Sequence, residues 1–387
     1  MKGNQHMKLP KGVDKLLTIF GYTLALVPYA ILGAYSAHVA TNLLPTEDIP
    51  KELLIMSAMV LSGAVFLYIH IILHEGGHLL FGLLTGWKFV SFRIGNQTLV
   101  KQNGKLKCKK TTVAGTGGQC LMSPPDCPPE NCPFFLYLLG GGLANILSGI
   151  LALLIALPVN GLWEAILHVF AITAIGLGLM NLFPAKLSGS ANDGYQIFIE
   201  LPHNPKAKAE QAILLNAHAY LTDHESSKDM PSKLRQSILD TDSIGPMYTA
   251  TTNLLCYKAV LLQEENRYEE ANAIYQQIAD DEDTLPIFKY EATCELIYYE
   301  IMGECNGEKI DTLMDKKQES YIKATLLYPS RRRLMYAYYL IYKKDEAAAQ
   351  KEYEALQKTV LTHPSKAEGA IELKEAERVK QYALTLS

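Results

Sequence analysis

Charge is missing from four long stretches of this chain. No Asp, Glu, Lys or Arg occurs in residues 16–46, 131–163 or 165–185, and residues 53–87 carry only one, Glu75. A hydrocarbon core about 30 Å thick is crossed by roughly 20 apolar residues in a helix, so each run can hold one span. The first run is too long for the apolar core of a cleavable signal peptide and is read as a retained span. The rest of the chain differs in kind. Residues 186–387 hold 24 Lys/Arg and 32 Asp/Glu, against 12 and 8 in residues 1–185. The net charge of −4 offers no overall basic surface, so no nucleic-acid partner is expected. These patterns predict a mainly α, multi-pass membrane protein. Four transmembrane helices and a small β hairpin or sheet element after the second are followed by a soluble all-α domain. The boundaries fall at 1–51, 52–200 and 201–387.

Orientation follows from the flanking charges. Lys2, Lys8, Lys11 and Lys15 precede the first span, and seven basic residues lie in the 88–133 loop. Glu47, Asp48 and Glu52 outnumber Lys51 between the first two spans. Basic loops stay on the cytosolic side, so both termini and the 88–133 loop are expected there, in a cell membrane whose bilayer is itself a partner. All seven cysteines then face a reducing compartment, which argues against a disulfide framework. Cys108, Cys120, Cys127 and Cys132 share one loop and could hold a second, structural zinc. They lack a CxxC pair, however, and ordinary reduced thiols are the expected reading.

The single charge of span two sits in His74-Glu75-Gly76-Gly77-His78, an HExxH pattern. Residues four apart share a helix face, so both imidazoles can reach one metal, while Glu75 is placed to take a proton from an attacking water. A carboxylate inside a membrane helix costs at least about 2.5–3.5 kcal/mol and usually marks function. Gly76 and Gly77 would let another backbone approach closely. His70, one turn earlier, reads as a hydrogen-bonded buried histidine. Two imidazoles leave a catalytic zinc one protein ligand short. Leu84 occupies the metzincin position for a third histidine. A candidate is Asp193, in Asn192-Asp193-Gly194 after Asn181-Leu182-Phe183-Pro184, although Asp-Gly is equally an ordinary turn. Asp126 and Glu130 lie in a Pro/Cys-rich loop, and Glu164 belongs to the opposite membrane face.

In these motifs the sequence resembles the site-2 proteases, a family of intramembrane zinc metalloproteases. The family carries HExxH on one helix and an Asn-x-x-Pro…Asp-Gly segment on the third helix of a three-helix core. Spans two to four fill those places over residues 52–200, with span one as an addition. Gly141-Gly142-Leu143-Ala144-Asn145 looks like the family's Gly-Pro-x-x-Asn element with Gly in place of Pro, and the stretch from Pro184 to Asp193 is longer than usual. The resemblance implies Zn²⁺ held by His74, His78 and Asp193, with Glu75 as catalytic base and Asn145 touching substrate or the developing oxyanion. The substrate it implies is a membrane-embedded protein or peptide, such as a tethered regulator or a signal-peptide remnant.

Residues 88–94, 97–101 and 105–111 have strand character, with Asn103-Gly104 as a type I′ hairpin turn. Family members pair such strands with unwound substrate. The 114–119 segment, with Gly117 and Gly118 as candidate substrate contacts, lacks the ending of a phosphate loop. It reads equally as a close-approach loop or a plain connector. Beyond residue 205 the pattern is amphipathic helix. Residues 257–279 match one tetratricopeptide unit, and 331–364 a second, degenerate one, which points to a protein-binding repeat domain. Two rivals stand beside the protease: a non-catalytic membrane scaffold with a structural zinc site and a partner-recruiting tail, and, more weakly, a metal-ion transporter.

Overall fold

Helix is the only way a long apolar run satisfies its own backbone, and each charge-free stretch forms one. The computed structural model describes residues 11–43, 49–110, 117–187, 190–242, 249–282 and 284–386. The expectations resting on Lys2, Lys8, Glu47, Asp48 and residues 114–116 lie outside the described residues. The chain divides into two compact units, Met1–Gly95 with Gly115–Ala209, and Asn96–Ala114 with Glu210–Ser387.

The first unit contains α1 (Lys11–His38), α2 (Ile49–Leu84), α3 (Phe134–Ala156) and α4 (Leu162–Leu182). Spans drawn on these four helices are long and apolar enough to cross a membrane. Their burial is inverted relative to a water-soluble bundle. Leu26, Leu61, Leu147, Leu154 and Trp163 point outward, while His70, His74, Asn145, Thr173 and Gly140–Gly142 are buried. Small residues allow that interior to close. A Cβ on Gly77 would fall 2.2 Å from the Gly140 carbonyl oxygen, and one on Gly178 would fall 2.7 Å from that of Gly142. Nothing lies within 4 Å of a Cβ at Gly76, so of the expected glycine pair Gly77 alone serves close approach. Helix α1 packs on α4, where Pro28 fits over Gly176 and Tyr35 Oη meets His168 Nδ1 at 2.7 Å.

After α2 come β1 (Lys88–Ile94), β2 (Gln97–Gln102), β3 (Lys105–Lys110) and β4 (Gly118–Ser123). β1 pairs antiparallel with β4, from Lys88↔Ser123 to Ile94↔Gly118, with an irregularity between Phe89 and Ser91. The sequence reading, a close-approach loop or a plain connector, did not include the strand β4 that starts at Gly118. Gly118 opens the strand, and the stretch then alternates in burial as strands do. Beyond α4, β5 (Lys186–Leu187) pairs with β6 (Ser190–Ala191), followed by the single turns α5 (Asp193–Tyr195) and α6 (Leu201–His203).

In the second unit β2 and β3 form the expected hairpin. Asn103 and Gly104 have φ of 51° and 71°, as a type I′ turn requires at both central positions. The sequence placed this hairpin with residues 52–200, but it clusters with 210–387. Gln102 explains why: its Nε2 donates to the carbonyls of Thr222 and Pro364 at 3.0 and 2.7 Å, and Val100 beside it is fully buried. The remaining structure is helical. It comprises α7 (Pro205–Asp223), whose residues up to Ala209 cluster with the first unit, α8 (Ser232–Leu239), α9 (Thr249–Glu264), α10 (Tyr268–Asp280), α11 (Pro286–Ile301) and α12 (Gly307–Leu313). These are followed by α13 (Lys316–Ala324), α14 (Pro329–Ala337), α15 (Glu346–Thr362) and α16 (Lys366–Leu386). α9, α10 and α11 enclose Ala259, Ala271, Tyr275 and Leu296. A second core gathers Tyr298, Leu334, Ile341, Leu356 and Val379 from α11 to α16. Between the cores Arg333 is buried, bound to both oxygens of Glu295 and to Glu372, with Tyr298 under its guanidinium.

Candidate metal centre

His74, Glu75 and His78 lie on α2 with no more than 8% exposure, His74 being ten residues before Leu84. At 1.5 Å per residue that places His74 about 15 Å from the helix end. One turn apart, the imidazoles bring their Nε2 atoms to 3.1 Å. Asp193 Oδ2 stands 3.2 Å from the first and 3.4 Å from the second. Three donors around one zinc at bond lengths of about 2.0–2.1 Å in tetrahedral geometry are separated by about 3.3–3.4 Å. The observed triangle has that size. Among the described residues it is the one group of three or more His, Cys, Asp or Glu able to hold a metal. The four loop cysteines, expected as reduced thiols, do not gather into such a group.

The surroundings prepare these donors for a cation. His78 Nδ1 lies 2.8 Å from the Tyr137 carbonyl and must donate to it, which leaves the lone pair on Nε2. His74 Nδ1 faces the Asn145 amide at 3.4 Å, and Asn145 Oδ1 has no partner. Turning that amide about its Cγ bond makes Oδ1 the acceptor for His74 Nδ1–H, fixing the same tautomer. Asn145, expected to touch substrate or the developing oxyanion, has its amide beside His74 Nδ1. Burial pushes the Asp193 carboxyl upward, but the imidazoles of His78 and His74 outweigh it and hold the group below the usual aspartate value. It is therefore available as an anionic ligand.

The approach of Asp193 depends on a loop tied down by Asn192. Its Nδ2 donates to the carbonyls of Met180 and Phe183 at 2.9 and 2.7 Å, and its Oδ1 accepts from the N–H groups of Tyr195 and Ala185. The helix end opened before Pro184 is therefore satisfied by Asn192. Asn181 Nδ2 instead donates to the Leu177 carbonyl one turn back. Gly194 matters for space, since a Cβ there would lie 2.2 Å from the Leu182 carbonyl oxygen.

Glu75 faces the start of β4. A Cβ on Gly118 would sit 2.7 Å from Glu75 Cγ, and one on Gly117 would sit 2.9 Å from Ile71 Cδ1. Arg93 is buried and donates to the Gly95 and Gly118 carbonyls, which pins that strand end beside Glu75. Cys120 is not part of the donor triangle, and burial, aided by the nearby Glu75 carboxylate, pushes its thiol up to about 12. His70 turns away from the triangle and bonds Phe170 O and Thr173 Oγ1.

Sequence reasoning missed Tyr137, Arg93 and Asn192. The first two carry no local signal, whereas Asn192 stood in full view within the Asn-Asp-Gly string. No family model, curated protein or solved structure matches this chain.

Proposed function

We propose that the chain is an intramembrane zinc metalloprotease of the site-2 protease kind, hydrolysing a peptide bond in or near a substrate's membrane helix. The observation that carries this reading is the donor triangle with a carboxylate, Glu75, on the residue after its first ligand. His74, His78 and Asp193 would hold the zinc. A bound zinc supplies Lewis acidity toward a water and a carbonyl oxygen. Glu75 takes the proton of the attacking water and returns it to the leaving amine. His74 and His78 keep their tautomers through Asn145 and Tyr137, so the ligand geometry is set before substrate arrives. A substrate helix unwinds locally to expose its peptide bond, and β4 offers extended backbone next to Glu75.

A structural zinc in a non-catalytic scaffold usually has four protein ligands, whereas this group has three among the described residues. An ion pathway would also call for more intramembrane carboxylates than Glu75. In the same reading the four long helices lie in a cell membrane with both termini cytosolic. The helix pairs of the second unit act there as a tetratricopeptide-like surface for a protein partner.

The test uses purified chain in detergent with a membrane-helix peptide. The wild type should hold about one zinc per chain and cleave the peptide. Glu75→Gln should hold the same zinc with cleavage reduced by at least about a hundredfold. Equal turnover by the variant at verified metal content would reject the assignment.

A further inference from the structure

Ahead of α3, the turn that includes Cys127 and Cys132 brings their sulfurs to 2.9 Å. A disulfide bond is about 2.05 Å long, so a shift of about 0.9 Å would join them. The approach is built into the turn. Pro128, Pro129 and Pro133 fix φ around it, and the N–H groups of Asn131 and Cys132 donate back to the carbonyls of Pro128 and Pro129. Exposure differs between the two sulfurs: Cys127 is half-buried and Cys132 is 1% exposed. One thiol is reachable by a small molecule and the other waits behind it.

We propose that Cys127 and Cys132 form a reversible thiol–disulfide pair, a modification site whose oxidant is a small-molecule disulfide such as oxidised glutathione. The Cys127 thiolate attacks one sulfur of the reagent, forming a mixed disulfide and releasing one thiolate. Cys132, after losing its proton, attacks Cys127 Sγ and displaces the second thiolate. Two protein thiols give up two electrons and two protons, and one reagent disulfide becomes two thiols. The bridge closes the turn that ends at Pro133, whose carbonyl accepts from Trp87 Nε1 at 3.3 Å. Trp87 stacks on Tyr137 at 4.4 Å, and the Tyr137 carbonyl orients His78. Oxidation therefore stiffens the segment that backs one metal donor.

The experiment treats the full-length protein with oxidised glutathione, alkylates the remaining thiols, and maps them by mass spectrometry after digestion. The expected product is one peptide carrying a 127–132 bridge, lighter by two hydrogens. Alkylation at both positions should fall by roughly tenfold and return on reduction with dithiothreitol. Cys132→Ser should stop at the Cys127–glutathione adduct, and Cys127→Ser should leave Cys132 reduced. Cys294, fully buried in the core of α11 to α16, serves as a reference that a soluble reagent does not reach. Continued alkylation of both sulfurs at an oxidant level that modifies exposed Cys108 would overturn the proposal, as would a bridge to any other cysteine. Running the same assay on Glu75→Gln keeps the result independent of the protease reading.

Discussion

One methyl group at position 141 tests how tightly the metal centre is enclosed. A Cβ there would lie 2.5 Å from His78 Nε2 and 2.6 Å from His74 Cε1. α3 cannot retreat by sliding, because Gly140 already meets the Gly77 backbone. Gly141→Ala should therefore lower zinc affinity by roughly ten- to a hundredfold, the range seen when groups supporting ligands are lost. Gly76→Ala on the facing helix meets nothing within 4 Å and should leave affinity unchanged. Competition with a chromophoric chelator reads both, and equal behaviour of the two variants would refute the enclosure. At this scale the sequence displayed some residues and hid others. His74 and His78 are visible because helical periodicity alone aligns them. Gly141 was noticed as part of a motif, but its contact with both imidazoles depends on a second helix that no local pattern describes.

The four helices were legible because length and absence of charge are local properties. The orientation proposed from local charge is testable on single elements. Asn160, in the turn between α3 and α4, and Lys107, on β3, should lie on opposite sides of the membrane. An impermeant maleimide on intact cells should label Asn160→Cys and spare Lys107→Cys until the membrane is permeabilised. The reverse pattern would invert the topology. What elements do at their ends was less legible. The opened end of α4 exposes carbonyls that water cannot satisfy in an apolar setting, so a side chain must do so. Asn192, with two donors and an acceptor oxygen, meets four backbone groups there. No local pattern singles out Asn192 for this task, because the carbonyls it meets lie 9 and 12 residues earlier, and distance along the chain was the wrong guide.

Distance along the chain also misleads for the molecule as a whole. Gln102 is bonded to groups 120 and 262 residues away, so no reading of residues 88–133 could assign the hairpin to the helical unit. The buried Arg331 and Arg333 were hidden for the same reason, because Glu291, Glu295 and Glu372 come from α11 and α16. Deleting the tail alone has a predictable fault. A chain ending at Leu201 keeps β2 and β3 but loses the residues that cover them. Exposing Val100 alone costs about 1.5–3 kcal/mol, and the Gln102 amide loses both carbonyl partners. A better truncation ends at Ala209 and also replaces residues 96–116 with a short turn. The ends to be joined are already adjacent, since the Gly95 N–H donates to the Gly117 carbonyl at 2.9 Å. The shortened chain lacking the hairpin should run as a single species on gel filtration in detergent and bind zinc like the full protein. The chain cut at Leu201 should aggregate, with at most a small zinc-loaded fraction. If both behave alike, the hairpin's burial in the second unit contributes nothing to the stability of the first, and the metal centre stands without regard to it.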